Sequence, residues 1–228
     1  LVFGNNDTPG VLLSSAAKEY MKVYGVLVGK KPIIFTNNDS AYETAIEFKK
    51  NGVDPIVLDS RKELSSDLIN EAKSLGINIK FEYVVVNANG YRKVKSADIA
   101  KISDDKTTLG KIENIACDCI CVSGFWTPTI HLASQSGGKT KFNEEIDAFI
   151  PSKSKQNETT VGSANGIFNL QDSLNTSFEA GYKLSKKITN EDNKLVVPTV
   201  VEKKNSKHDK FWCVPLPKGK KYKRFLDF

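Results

Sequence analysis

The stretch best suited to chemistry is "VGSANG", residues 161–166, which leads into the helix-like run "IFNLQDSLNTSFEAGYKLSKKI". Gly162, Ser163, Ala164, Asn165 and Gly166 would present backbone amides near a helix N-terminus, and no acidic residue intervenes before Asp172. Amides with flanking glycines at such a place attract phosphate or ribityl oxygens. Spacing alone does not separate this reading from a plain turn leading into the helix. A second loop, Thr36-Asn37-Asn38-Asp39-Ser40-Ala41, stands where a dinucleotide-binding unit carries G-x-G-x-x-G. Glycine is needed there so that the backbone can turn tightly and approach the pyrophosphate. This loop has none, and the charge of Asp39 would repel a phosphate, so the residues favour a structural role over dinucleotide binding. Asp59 sits where a ribose-binding acid would end the second strand, but alone it is equally a turn residue.

The remaining reactive side chains form no catalytic constellation and no metal site. Cys117, Cys119 and Cys121 recur at spacing two, which on one strand puts them on one face, and they read as thiols packed under a helix in a reducing compartment. Zinc would draw its ligands from two separated knuckles. His131 could face a cofactor, His208 reads as solvated, and Glu144-Glu145 reads as an exposed turn. There is no H-E-x-x-H, Walker loop or Ser/His/Asp signature.

The elements that must position these residues follow from periodicity. Residues 11–24 predict a helix with Leu13, Ala16, Ala17, Tyr20, Met21 and Tyr24 on one face. "PIIFT" predicts a buried strand, followed by a helix capped at Asp39 or Ser40, a strand "PIVLD", a second helix through Leu75, and a strand "INIKF". This β-α-β-α-β order implies a parallel sheet with right-handed crossovers. Asn89-Gly90 then predicts a hairpin, and Ile112 to Val122 a further strand. "DAFIP" reads as a short strand, and Leu174, Phe178, Gly181 and Ile188 predict a packed face on the last helix. The fold class is therefore α/β: a Rossmann-like βαβαβ domain with a β-meander insert, plus parts of a second FAD/NAD(P)-binding-type domain.

Bulk properties narrow the partners. The chain has 228 residues, enough for one or two sizeable cores, and its 39% apolar content is that of a globular protein. No apolar run reaches the roughly 20 residues of a membrane span. Of the net charge of +6, nine Lys or Arg against two acids lie between Glu202 and Arg224, leaving the rest near −1. A basic connector of this kind reads as a solvated linker or a surface for an acidic partner. A nucleic-acid stripe would need more interleaved aromatics than Trp212 and Tyr222. Both ends read as cut from a longer chain.

Several stretches together resemble the alpha subunit of heterotetrameric sarcosine oxidase: "LVFGNNDTPGVLLSSAAKEYMKVYGV", "IIFTNNDSAYETA", "CDCICVSGFWTPTIHLASQSGG" and "VGSANGIFNLQDSLNTSFEAG". The closing "KRFLDF" resembles the run into that subunit's folate-binding half. The resemblance implies that residues 1–28 are the tail of a first dinucleotide-binding domain and 29–122 a second, degenerate one. It makes 123–190 a return segment and 191–228 a basic linker toward a folate-binding domain. Ser123 and Gly124 then occupy the place of an A-T-G-x-x-P stretch, and Gly162 to Gly166 that of a Gly-Asp motif. That motif's acid is missing, so Ser163 or Asn165 would have to hold the cofactor hydroxyl, which fits NAD in the alpha subunit better than a flavin. The resemblance further implies beta, gamma and delta subunits, FAD and FMN in a cytoplasmic complex, an amine substrate, and tetrahydrofolate as one-carbon acceptor. Two alternatives stay open: another two-domain flavin or NAD(P)H oxidoreductase subunit, and a non-catalytic assembly module.

Overall fold

The computed structural model describes residues 1–189, 196–202 and 208–226. Its contacts divide into two units, Leu1–Phe125 with Lys203–Phe228, and Trp126–Glu202.

The first unit is built on a parallel sheet. Its strands are β1 (Val11–Leu13), β2 (Pro32–Thr36), β3 (Ile56–Asp59), β4 (Asn78–Phe81) and, later in the chain, β8 (Cys119–Ser123). They lie in the order β1-β8-β2-β3-β4 and every pairing is parallel. Helices α1 (Ser14–Tyr24), α2 (Ser40–Lys50) and α3 (Asp67–Ser74) belong to the same unit, as does an antiparallel meander of β5 (Tyr83–Asn89), β6 (Ser96–Ile102) and β7 (Leu109–Ala116). The alternation of strand side chains separates two cores. Ile34, Val57, Cys119 and Cys121 pack with Ala17, Met21, Ala45, Phe48 and Ile69 of the helices. Ile33, Phe35, Leu58, Ile120 and Val122 pack with Val85, Ile99 and Ile102 of the meander. Burial on both faces is why "PIIFT" is apolar without interruption.

Four expectations need correction. The first helix starts at Ser14, because Val11–Leu13 pairs with β8 instead. Its buried stripe is Ser14, Ala17 and Met21, while Tyr20 and Tyr24 turn outward against each other with ring centroids 6.0 Å apart. Small residues on the inner stripe let α1 lie close to α2, where the Thr44 hydroxyl donates to the Ser14 carbonyl at 2.9 Å. Residues 90–95 connect β5 to β6, a longer turn than Asn89-Gly90 predicts. The run 112–122 is two strands, broken at Cys117-Asp118, where the Asp118 carboxylate accepts from the backbone of Lys30 and Lys31 at 2.8 Å each. That break carries the chain between layers, so Cys117 joins the meander core and only Cys119 and Cys121 lie under the helices.

The C-terminal basic stretch is not simply a solvated linker. Phe211 and Val214 are buried in the meander-side core, and the Val214 amide donates to the Val2 carbonyl at 2.8 Å. His208 stacks on Phe125 with ring centroids 3.5 Å apart. Residues 190–195 and 203–207 of that stretch lie outside the described residues.

The second unit holds α4 (His131–Gln135), the antiparallel pair β9 (Lys139–Asn143) and β10 (Ala148–Lys153), a 3-10 turn (Gly162–Asn165) and α5 (Leu170–Thr189). The hairpin is pinned by Phe142 edge-on to Phe149 at 5.3 Å. The predicted packed face of α5 is a further correction, because none of its described residues is buried and Ile188 is 74% exposed. Within this unit α5 leans on the 3-10 turn.

Candidate functional site

Two places merit attention, one in each unit. In the first, ligands of open parallel sheets bind outside the carboxyl ends of the strands where the strand order reverses. Here that switch point lies between β2, which is followed by residues 37–39, and β8, which ends at Ser123 and is followed by Gly124. The Asn38 side-chain Nδ2 donates to the Ser123 carbonyl at 3.2 Å and to its hydroxyl at 3.1 Å, and Asn38 Oδ1 accepts from the Ser40 backbone amide at 3.0 Å. Asn38, not the expected Asp39 or Ser40, thus serves the start of α2, and Asp39 makes no capping bond. A Cβ on Gly124 would stand 2.7 Å from the Leu1 nitrogen, so only glycine fits.

Asp39 instead joins a buried charged cluster. Arg61 Nη2 lies 2.9 Å from Asp39 and 2.7 Å from Asp59, and Arg61 Nε donates to Asp59 Oδ1 at 2.9 Å. The Tyr42 hydroxyl donates to Asp59 Oδ2 at 2.8 Å. All four side chains are at most 4% exposed. Burial alone would lower the Arg61 guanidinium, but the hydrogen bonds and charges of the two carboxylates more than reverse this and hold it above its ordinary range. Burial, then the Asp59 charge, pushes the Tyr42 phenol well above the usual tyrosine range. An acid turned inward onto its own arginine and tyrosine presents no carboxylate to a ribose. Sequence reasoning weighed Asp59 alone; the signal it passed over is Asp59-Ser60-Arg61, a spacing short enough for Arg61 to fold back onto its neighbour.

The second place is a cleft of about 720 Å³, within the usual range for small-molecule pockets, about 300–1,000 Å³. Trp126, Thr127, Gly162, Ser163, Ala164 and Asn169 contribute to its wall, and no lining side chain is charged. Asn165 lines a separate cavity of about 350 Å³ beside Thr176, Lys183 and Lys187. Gly166 has φ 79°, and a Cβ there would stand 2.6 Å from Ile146 Cδ1, so it is committed to packing on the hairpin side. Of Ser163 and Asn165, then, Ser163 is the one that lines the cleft. Four residues separate the 3-10 turn from the helix proper, whose first amides already have acceptors: Asp172 donates to Asn169 Oδ1 at 2.7 Å and Leu170 to the Glu202 carboxylate. A neutral wall that mixes the apolar side chains of Val161, Ile167, Phe168 and Leu170 with hydroxyls, amides and an indole suits a ring or polyol better than an isolated phosphate. Seven expected site residues thus fall in two places, Ser123 and Gly124 in the first unit and Gly162 to Gly166 in the second.

Buried thiols add no chemistry of their own. Burial pushes the Cys117 thiol up to about 12, and Cys121 is raised by its hydrogen bond with Cys119 and by burial. Such thiols stay protonated and unreactive. Among the described residues no cluster could hold a metal ion, and no helix is long and apolar enough to cross a membrane. His131 is exposed at the start of α4.

No family model matches the chain. It is 32% identical over 183 residues to sarcosine oxidase subunit alpha of Corynebacterium sp. (strain P-1), covering 79% of this chain and 19% of that protein. It is 31% identical over 234 residues to the subunit of the same name from Rhizobium meliloti (strain 1021), covering 100% of this chain and 22% of that one. The chain is a relative of the sarcosine oxidase alpha subunits. It spans about a fifth of the length of these relatives. Among solved structures, the HOCl-induced flavoprotein disulfide reductase RclA from Escherichia coli matches with TM-score 0.56 at 14% identity, over 82% of this chain and 41% of that one. That likeness and the parallel sheet make the fold Rossmann-like, as the sequence predicts.

Proposed function

We propose that the chain is an internal part of the alpha subunit of a sarcosine oxidase-type oxidoreductase. The observation that carries this reading is the similarity to alpha subunits running through the whole chain at 31% identity. In the proposed reaction the complex would oxidise sarcosine with oxygen as the electron acceptor and hydrogen peroxide as a product, a bound flavin supplying the two-electron chemistry. The methyl carbon passes to tetrahydrofolate as a methylene group, and glycine remains. FAD and FMN belong to the complex, NAD to the alpha subunit, and the beta, gamma and delta subunits are the partners. The compartment is the cytoplasm, in keeping with four free cysteines, three of them buried.

Within that assembly the chain's own residues bind and orient, and carry no proton or electron step. Residues 29–122 form the degenerate second nucleotide-type domain, whose sheet and helix layer also take in β1 and α1 of the segment 1–28 that the resemblance gives to the first; 123–190 belong with the first, and 191–228 lead toward the folate-binding half. Ser163, with the Trp126 indole and the amides of Gly162 and Ala164, would face a ribose or ribityl segment in the cleft.

The test is purification of the complete subunit with its partners, followed by release and chromatography of bound nucleotides and assay of sarcosine-dependent peroxide formation. Retained NAD and flavin with peroxide produced in step with sarcosine are expected. A complex that retains flavin and oxidises another secondary amine would transfer the reading to another member of the flavoprotein dehydrogenases. A protein with no nucleotide and no activity would favour an assembly module.

A further inference from the structure

The crevice between the carboxyl ends of β2 and β8 is where a Rossmann-like sheet offers its ligand site. It is filled by the chain's own C-terminal segment. The Asn37 side-chain amide faces the carbonyls of Asp209 at 3.0 Å, Phe211 at 3.1 Å and Gly124 at 3.3 Å. The Asp209 amide returns a bond to the Asn37 carbonyl at 3.0 Å. Asn37 is fully buried. Lys106 Nζ pairs with the Asp209 carboxylate at 3.2 Å, and Phe125, after Gly124, stacks on His208. Phe211 is 4% exposed and Val214 fully buried, so the segment is rooted in the core and not laid over the surface. Beside it, Asp39 at the start of α2 is engaged by Arg61, where a dinucleotide would put its pyrophosphate.

We infer that residues 208–214 are a permanent plug of this crevice, which converts the second nucleotide-type site into an anchor for the C-terminal segment. Two properties of the plug carry the inference. Its polar contacts go to the loop that would otherwise cradle phosphate, so plug and nucleotide exclude each other. Its apolar contacts belong to the same core as Phe3, Phe35 and Ile120, so release would open that core. Asn37, in the place of a phosphate-loop glycine, is the residue that reads the plug: its backbone carbonyl accepts from Asp209 and its side-chain amide donates to the Asp209 and Phe211 carbonyls, which satisfies the backbone of a segment that forms no strand of its own.

The test uses hydrogen exchange on the complete subunit, alone and with NADH or NADPH added. The amides of Asp209, Phe211 and Val214 are expected to exchange as slowly as those of β2, with neither nucleotide changing residues 36–40 or 208–214. Asn37→Ala should speed exchange at 208–212 by on the order of tenfold or more. Lys106→Met, at a partly exposed position, should speed it less and leave β2 protected, which separates loosening of the plug from unfolding. Exchange of 208–214 at the rate of a free peptide would overturn the inference. So would protection of 36–40 by a nucleotide with loss of protection at 208–212, the behaviour of a displaceable lid. Failure to oxidise sarcosine leaves all these readings unchanged, so this result and the proposed function can fail separately.

Discussion

Arg61 holds two buried carboxylates at once, and this makes it the most consequential single side chain of the first unit. Replacing one member of a buried charge network leaves the others in a low-dielectric interior without a partner, typically at a cost of about 3–5 kcal/mol. Arg61→Met should therefore destabilise the chain by about that amount in urea unfolding. Adding Asp39→Asn and Asp59→Asn should recover part of the loss, because the stranded charges are then gone. Recovery is the decisive arm: a loss of under about 1 kcal/mol for the single variant would mean that water reaches the cluster. The sequence displayed the two acids and the missing glycines, and from these the loss of a phosphate loop was legible. The short spacing of Asp59-Ser60-Arg61 was there to be read, but the bond from Arg61 to Asp39 was not, since it joins the loops after two parallel strands and nothing in local periodicity reports such a pairing. Ser163 was legible for the opposite reason, because glycines on both sides mark its turn locally.

At the scale of elements, propensity and capping decide where the helices begin, and here the three helices of the first unit differ. Helix α3 starts with a serine cap: the Ser66 side chain accepts from the Ile69 amide at 3.4 Å. Helix α2 has no such cap at Asp39, which is committed to Arg61. Ser66→Ala should cost about 1 kcal/mol and Ser66→Gly only a few tenths, measured as shifts in the urea midpoint at constant slope. Equal losses for both would assign the effect to the space around this nearly buried position and not to the cap. The strands β2, β3 and β4 were readable from their apolar runs and bounding turns. The break between β7 and β8 was not, because "IENIACDCICVS" carries no glycine or proline to mark it and the chain changes layers at Asp118, whose bonds reach back to Lys30 and Lys31. The apolar side of α5 misled for a related reason. Helical periodicity reports that a face is apolar, and says nothing of whether this stretch of chain supplies the surface that buries it.

For the whole molecule, the contrast between its two units predicts how it opens. The first has two buried cores and a five-stranded sheet whose central strand β2 is buried throughout. The second rests on one hairpin, and among its described residues few apolar side chains are buried, Ala148 and Ile150 at 6% and 9% exposure among them. Apolar burial is the main favourable term in folding, roughly 25 cal/mol per Å², so the second unit has far less to hold it closed. Local opening free energies run from near zero in weakly packed segments to the global value in cores. In hydrogen exchange on the 228-residue chain, amides of β2, β3 and β8 should exchange only through global unfolding. Those of α5 should exchange orders of magnitude faster, through opening that leaves the sheet intact. If residues 123–190 belong with the first dinucleotide-binding domain of a longer subunit, as proposed, the same α5 amides should become slow in the complete protein while those of β2 do not change. Slow α5 amides in the 228-residue chain would mean that this helix is already buried there, contrary to its exposed Leu184 and Ile188. Fast α5 amides in the complete subunit would separate the second unit from any such domain and leave the cleft at Ser163 without the walls that a cofactor needs.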